Sequence, residues 1–452
     1  MCSDRPKVLH TLAGKPLLLH LIDTCHTLQP QQPEALAVVV GYGAEQVERL
    51  CSRDIPGLRW VRQQQQMGTA DAVKCALPVL QEISCRDVVI LNGDTPLVSH
   101  EVLTSLLQQH RRSGHALTVL TTRMDNPTGY GRIVRNEQGS VAHIVEERDA
   151  DSATRLIDEI NAGIYCVDAT CLHSWIGQIA NHNSQGEYYL TDMVGLAVQE
   201  KFFVGSFFHT DSSSLTGINS RQHLARMEAV LRDRLVDYWM ERGVTFTDPG
   251  SCWIAADVTI GPDSEIAPHV ILGPGTIIDD HCRIGAFCHV SNSHLGPGTE
   301  LLPFCHLDGC QTAGSSVVGP YARLRPGTVL ESHTRVGNFC ELKKAHIGTG
   351  SKINHLSYIG DTQMGSGVNV GAGTITCNYD GLHKHQTVIG DRVFIGSNSQ
   401  LVAPVTVGTG AVVGAGSTIT RNVPDDALAL SRTPQRHIDR WSSRQRKADD
   451  RT

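Results

Sequence analysis

Between positions 325 and 384 the chain gathers Arg325, Lys343, His355, Asn378 and Lys384. An arginine offers a planar fork to phosphate oxygens and a lysine a point charge. A neutral imidazole holds a proton near pH 7. By type alone such side chains could bind phosphate or move a proton, or could equally be ordinary surface charge. A second candidate is Asp94, which closes Asn92-Gly93-Asp94 directly after the apolar run Val88–Leu91. If that run is a strand, the carboxylate stands at the carboxyl edge of a sheet, where α/β domains bind ligands. The 14 cysteines contain no C-x-x-C pair. They are expected as small apolar core residues, not as metal ligands or disulfides.

These residues need elements to hold them. Over the first 230 positions, strands are expected at Leu36–Val40, Val88–Leu91, Ala116–Thr121 and Gly163–Val167, with helical spacing at Ala44–Cys51 and Thr69–Leu80. The alternation predicts an α/β domain with a mostly parallel sheet. From Ser220 to Arg242, Leu224, Met227, Val230, Leu231, Leu235 and Trp239 recur at three- and four-residue steps, which predicts one amphipathic helix ended by Gly243.

After Asp248-Pro249-Gly250 the period becomes six. Ile254, Ile260, Ile266, Leu272, Ile278, Ile284 and Val290 open it, and after a one-residue slip come Leu295, Leu301 and Leu307. Val318, Leu324, Leu330, Val336 and Leu342 follow, then Ile347, Ile353 and Ile359, and finally Ile389, Ile395, Leu401, Val407, Val413 and Ile419. One inward aliphatic per hexad is the mark of a parallel β-helix. Arg325 and Lys343 directly follow inward Leu324 and Leu342, so they start on the outer wall. The phase lapses around Thr376–Lys384, which predicts a loop on one face, the place where solenoids often carry function.

Composition bounds the reading. A net charge of -7, from 39 basic and 46 acidic side chains, gives no footprint for nucleic acid. A 40% hydrophobic fraction is enough for a core, and 43 glycines with 5% aromatics suggest a repetitive architecture with tight corners. No apolar run approaches a membrane span, and the first residues have no signal-peptide apolar core, so a cytoplasmic protein without membrane partners is expected. The segment from Arg432 is basic and is expected to be mobile.

The motifs narrow this further. Ser3-Asp4-Arg5-Pro6-Lys7, Gln66-Met67-Gly68-Thr69, Asn92-Gly93-Asp94-Thr95-Pro96-Leu97, Thr128-Gly129-Tyr130-Gly131-Arg132, Glu159-Ile160-Asn161 and Gly186-Glu187-Tyr188-Tyr189, followed by Lys352–Gly360, Val370–Tyr379 and Ser431-Arg432, resemble one family in order. It is the bacterial bifunctional N-acetylglucosamine-1-phosphate uridyltransferase/glucosamine-1-phosphate acetyltransferase. The resemblance implies a Rossmann-like α/β nucleotidyltransferase domain with its first strand missing, over 1–219. It further implies a linker helix over 220–250, a left-handed parallel β-helix of hexapeptide repeats over 251–431, and a basic tail over 432–452. It also implies a homotrimer with shared sites.

For acetyl transfer from acetyl-CoA to glucosamine 1-phosphate, the resemblance implies His355 as the base. It assigns Arg325 and Lys343 to the sugar phosphate, and Tyr358 and Asn369 to the sugar. Asn378 would orient the base from a loop, shared with Tyr379 and Lys384, that reaches an adjacent subunit. Ala372, Ser397, Ala415 and Arg432 would line the acetyl-CoA path. For uridylyl transfer from UTP to N-acetylglucosamine 1-phosphate, it implies Mg²⁺ held by Asp94 and Asn219. Lys7 would meet phosphate and Gln63, Gly68 and Thr69 the uracil. Gly131, Glu146 and Asn161 would meet the acetamido sugar, and Asn92 falls where the family often has Tyr.

The family's glycine-rich segment, L-A-A-G-x-G-T-[RK]-M, would precede Ser3. A natural start further upstream is the favoured expectation; the alternative is an acetyltransferase whose uridylyltransferase half is inactive. A non-catalytic β-helical scaffold predicts no cluster such as that at 325–384. Related sugar nucleotidyltransferases with hexapeptide tails lack the K-K-A, H-L-x-Y-x-G-D and C-N-Y-D-G-x-x-K combination found from Lys343 to Lys384.

Overall fold

A computed structural model describes residues 3–28, 33–52, 57–83 and 85–443. The mobility expected of residues 444–452 therefore lies outside the described residues. The chain forms two compact units, Met1–Arg232 and Asp233–Thr452.

The first unit runs β1 (Thr11–Leu12), β2 (Lys15–Pro16), α1 (Leu17–His26), β3 (Leu36–Val40), α2 (Ala44–Cys51), β4 (Leu58–Arg62), α3 (Thr69–Glu82), β5 (Asp87–Ile90), α4 (His100–Ser113), β6 (Leu117–Arg123), β7 (Arg132–Arg135), β8 (Val141–Val145), β9 (Glu159–Asp168), α5 (Ala169–Ile176), α6 (Asp192–Gln199) and β10 (Val204–Phe208). The main sheet has the order β10-β6-β9-β7-β8, with β5 also on β9. β10 is parallel to β6, but β9 is antiparallel to β5, β6 and β7. The sheet is thus mixed and not mostly parallel. Five residues between β7 and β8 are too few for a crossover, so these two strands return as a hairpin.

β9 is also longer than the expected 163–167. Two of its first three residues, Glu159 and Asn161, are polar yet buried, because each has a partner. Arg135 grips the Glu159 carboxylate through two nitrogens at 2.9 and 2.6 Å, and the Asn161 amide donates to the Tyr165 hydroxyl at 2.6 Å. β3 and β4 pair in parallel in a sheet of their own, and among the described residues no ladder joins β3 to β5. Those two strands are mostly half-buried, whereas β6 and β9 are buried along nearly their whole length.

The helix Arg221–Met240 (α7) contributes Met227 to the core of the first unit and Val236 to that of the second. Beyond it lies the left-handed parallel β-helix. Each of the 24 aliphatics in the hexad series is buried in one continuous core. Every such residue withdraws its side chain from water, a gain of about 1.5–3 kcal/mol. Parallel pairing repeats once per coil, as in Leu307↔Leu324, Leu324↔Leu342 and Leu342↔Ile359. A coil is therefore 17 or 18 residues, and a residue's neighbour on the wall lies that far along the chain. Cys282, Cys288, Cys305, Cys310 and Cys340 fill buried positions in this core as free thiols. The lapse in phase is a loop: Tyr358–Met364 pairs with both Ile375–Cys377 and Thr387–Ile389, and the chain between them projects.

Candidate active sites

In the β-helix the register sets the expected residues in small groups along the walls. His355 ends the strand Lys352–His355, whose neighbour is Arg335–Asn338, with Asn338 opposite His355. The Asn338 side-chain oxygen lies 2.7 Å from His355 Nδ1. The carbonyl of His355 accepts hydrogen bonds from the Ser357 hydroxyl at 2.8 Å and from the Gly373 N–H at 3.3 Å. Asn369 stands on the next strand of that wall, opposite Lys352.

Arg325 donates its backbone N–H to Leu342, which sets it one coil from Lys343. Its guanidinium is 2.8 Å from the Glu341 carboxylate. Lys343 is held below the ordinary lysine value, chiefly by the neighbouring ammonium of Lys384, with Arg325 adding to the effect. Three cations gathered at one place have the charge to suit a phosphate dianion.

Tyr358 and Asn378 converge above Gly360. A Cβ there would lie 2.5 Å from the tyrosine hydroxyl and 2.8 Å from the Asn378 amide nitrogen. That amide donates to Asp361 at 2.5 Å, so within one chain the partner of the histidine ring is Asn338 and not Asn378. The loop beyond Asn378 is internally braced. Asp380 accepts from the N–H groups of His383 and Leu382 and meets the His385 ring at 2.7 Å. These contacts hold its carboxyl well below the usual carboxylate range, the His383 N–H most of all. Tyr379 and Leu382 stay exposed on the loop.

Ala372, Ser397, Ala415 and Arg432 fall into one column. The carbonyl of Ala372 accepts from Asn398 N–H at 2.7 Å, that of Ser397 from Gly416 N–H at 2.9 Å, and that of Ala415 from the Arg432 guanidinium at 2.9 Å. Small side chains on the outer wall leave room beside this column, and the Arg432 cation stands at its end.

In the first unit the residues are assembled from distant segments. Asp94 and Asn219 meet because Ile218 donates its N–H to the Asp94 carbonyl at 2.9 Å. Both side-chain oxygens then converge on Lys7. Its ammonium lies 2.5 Å from Asp94 Oδ2 and also bonds Asn219 Oδ1. Lys7 thus occupies the point where two oxygen ligands meet, and the residues expected to hold a divalent ion already hold a cation. Among the described residues no three His, Cys, Asp or Glu side chains cluster as metal ligands. One carboxylate and one amide oxygen suit a metal that keeps water and substrate phosphates as its remaining ligands.

Gly68 joins two motifs. Its φ is +115°, and a Cβ would meet the Tyr188 carbonyl oxygen at 2.5 Å. Tyr188 N–H bonds Met67 O at 2.8 Å, Ala70 N–H bonds Tyr188 O at 2.9 Å, and Leu190 N–H bonds the Thr69 hydroxyl at 2.9 Å. Gln63 donates to the Gly68 carbonyl at 3.2 Å and to Asp71 at 2.8 Å. Asn92 packs against Gly163, where a Cβ would lie 2.0 Å from its amide nitrogen.

Gly131, Glu146 and Asn161 form the third group. Asn161 N–H bonds Gly131 O at 2.9 Å, and a Gly131 Cβ would lie 3.5 Å from the Glu146 carboxyl. Burial pushes the Glu146 carboxyl up, and Thr191 donates to it at 3.2 Å.

The sequence reading missed Asn338, Glu341 and Tyr130. The first two lie 17 residues before His355 and Tyr358, one coil back, so counting back a coil would have found them. Tyr130, whose hydroxyl accepts from Gly217 N–H at 3.2 Å, offers no comparable signal.

Comparison with known proteins finds two families in the chain. Residues 2–245 match the nucleotidyl transferase family model, and residues 386–421 match the bacterial transferase hexapeptide model of six repeats. The bifunctional protein GlmU of Trichlorobacter lovleyi is 45% identical over 99% of this chain and 96% of its own length. That of a Psychrobacter species is 47% identical over the same shares, and that of Legionella pneumophila strain Lens is 44% identical over 98% and 95%.

Proposed function

The chain belongs to the family of bifunctional GlmU proteins, and from this we infer that its two units perform successive steps toward UDP-N-acetylglucosamine. It is an enzyme with a nucleotidyltransferase and a hexapeptide acyltransferase half. The β-helix moves acetyl from acetyl-CoA to the amine of glucosamine 1-phosphate. The first unit then joins UTP to N-acetylglucosamine 1-phosphate and releases pyrophosphate. The observation that carries the reading is likeness across both halves of the chain, to relatives matched over nearly their whole length.

In the acetyl step His355 removes the amine proton as the nitrogen attacks the thioester carbonyl. Arg325, Lys343 and Lys384 bind the sugar phosphate, while Tyr358 and Asn369 meet the sugar. The thioester lies along Ala372, Ser397 and Ala415, with Arg432 meeting a CoA phosphate.

In the uridylyl step Asp94 and Asn219 would hold Mg²⁺, which would supply neutralisation of triphosphate charge. Lys7 turns to phosphate, and Gln63, Gly68 and Thr69 seat the uracil. Gly131, Glu146 and Asn161 bind the acetamido sugar, with the buried Glu146 offering a polar contact away from water. The assembled Lys7–Asp94–Asn219 cluster favours two activities over an acetyltransferase alone.

A homotrimer completes the acetyl site in this reading. The stacked rings of His269, Phe287, Phe304, Tyr321 and Phe339, 4.7–5.3 Å apart on the coil surface, present an apolar stripe. The exposed Tyr379 and Leu382 give the loop an apolar tip for a neighbouring copy. A cytoplasmic location fits these substrates, and no helix among the described residues is long and apolar enough to cross a membrane.

The test is to give the purified chain glucosamine 1-phosphate, acetyl-CoA, UTP and Mg²⁺ and to separate the products by chromatography. N-acetylglucosamine 1-phosphate should form first and UDP-N-acetylglucosamine second. Absence of the acetylated sugar phosphate would overturn the reading.

A further inference from the structure

An imidazole acts as a base only if the nitrogen facing the substrate carries the lone pair. What the other nitrogen bonds to decides this. Among the described residues the ring of His355 has one partner for that purpose, the side-chain oxygen of Asn338, 2.7 Å from Nδ1.

The pair is held from both sides. Asn338 and His355 are opposite residues of adjacent parallel strands, so the backbone ladder sets their separation. A Cβ on Gly337 would lie 1.9 Å from the Asn354 carbonyl oxygen, so the two coils approach as closely as only glycine allows. The carbonyl of His355 is anchored by Ser357 and Gly373, and Leu356 after it takes a φ of +49°. Charged groups on the flanking strands are Arg335 and Lys352, which face each other at the far end of the ladder. The next strand of the wall brings Asn369, which is uncharged. Among the described residues no carboxylate bonds the ring.

We propose that Asn338 is a positioning residue for acetyl transfer: its side-chain oxygen accepts the Nδ1 proton of His355 and so leaves the Nε2 lone pair free for the amine proton. The proposal rests on the reading of His355 as the base. An amide suits the task because it selects the tautomer without a charge that would favour the protonated ring. The proton taken from the amine goes to Nε2, the acetyl group goes to nitrogen, and the thiolate of CoA leaves.

The test uses the full chain and three variants, with both half-reactions, KM values and thermal melting measured. His355→Ala should abolish acetyl transfer; if it does not, the base assignment falls, and that failure is separate from anything Asn338 does. Asn338→Ala should lower kcat for acetyl transfer by ~10–100-fold, the loss typical of an orienting partner. KM values, melting temperature and uridylyl transfer should stay unchanged. Asn338→Asp, which can still accept the Nδ1 proton, should recover much of the rate. It should also shift the acidic limb of the kcat–pH profile to higher pH, because a carboxylate favours the imidazolium.

A full rate in Asn338→Ala beside an inactive His355→Ala would overturn the proposal. So would a fall in melting temperature and a rise in both KM values in place of a kcat loss. An unshifted profile in Asn338→Asp would overturn it as well, because the side chain would then not face the ring.

Discussion

The two units build their sites in opposite ways. In the β-helix, Arg325 lies beside Lys343, Asn338 meets His355 and Asn378 meets Asp361 because coils of nearly constant length stack in register. Neighbours on the wall are neighbours by arithmetic. In the first unit, Lys7, Asp94 and Asn219 are 87 and 212 residues apart in sequence and meet only because the α/β fold brings three segments to one edge. A periodic scaffold thus makes a site from a local rule, and a non-periodic one makes it from the whole topology. Damage should spread accordingly: one coil at a time in the second unit, across separate segments in the first.

The sharpest test of that contrast is a pair of variants. His355→Ala should cost acetyl transfer ~10²–10⁴-fold, the usual contribution of a general base, and leave uridylyl transfer intact. Asp94→Ala should do the reverse, with a loss of ~10²–10³-fold like that from removing one preorganised polar contact. Separate assays of the two half-reactions decide it; cross-effects between the halves would break the comparison.

Core truncation comes next. Ile353→Ala removes a fully buried side chain two residues before the base, and Leu117→Ala does so in β6. Each should cost ~2–5 kcal/mol by chemical denaturation. Only the first should also slow acetyl transfer, because its cavity opens beneath the His355 coil.

Gly68→Ala should raise KM for UTP about tenfold without lowering the melting temperature of the β-helix. The new Cβ would collide with Tyr188 backbone and open the contact between residues 67–70 and 186–190. Steady-state kinetics at varied UTP would measure it.

The smallest effect is one of pH. Because Lys384 and Arg325 hold Lys343 below the ordinary lysine value of ~10.4, it loses its charge sooner as pH rises. KM for glucosamine 1-phosphate should therefore climb at a lower pH than an ordinary lysine would give. Lys384→Ala should move that climb to higher pH, and a KM profile unchanged by this variant would count against the shared phosphate site.

Legibility follows the same contrast. The hexad aliphatics, from Ile254 to Ile419, are read directly from the chain and all lie in the core. The loop at Thr376–Lys384 is visible as a break in that rhythm. The boundaries of β9 were not visible, because Glu159 and Asn161 look like loop residues until Arg135 and Tyr165 are known to satisfy them. Nor was the mixed sheet: strand propensity says that a segment is extended but carries no direction of pairing.

What the chain alone determined is the architecture of the second half and the residue types available for its chemistry, since a six-residue period with inward branched side chains has one packing solution. The family motifs added which of those residues to watch. What only the tertiary structure decided is which side chain touches which. Asn338 sits on the ring of His355, Glu341 on Arg325, and Lys7 between Asp94 and Asn219. A contact of 2.5–2.8 Å depends on how two separate stretches of backbone are placed, and no local pattern encodes that.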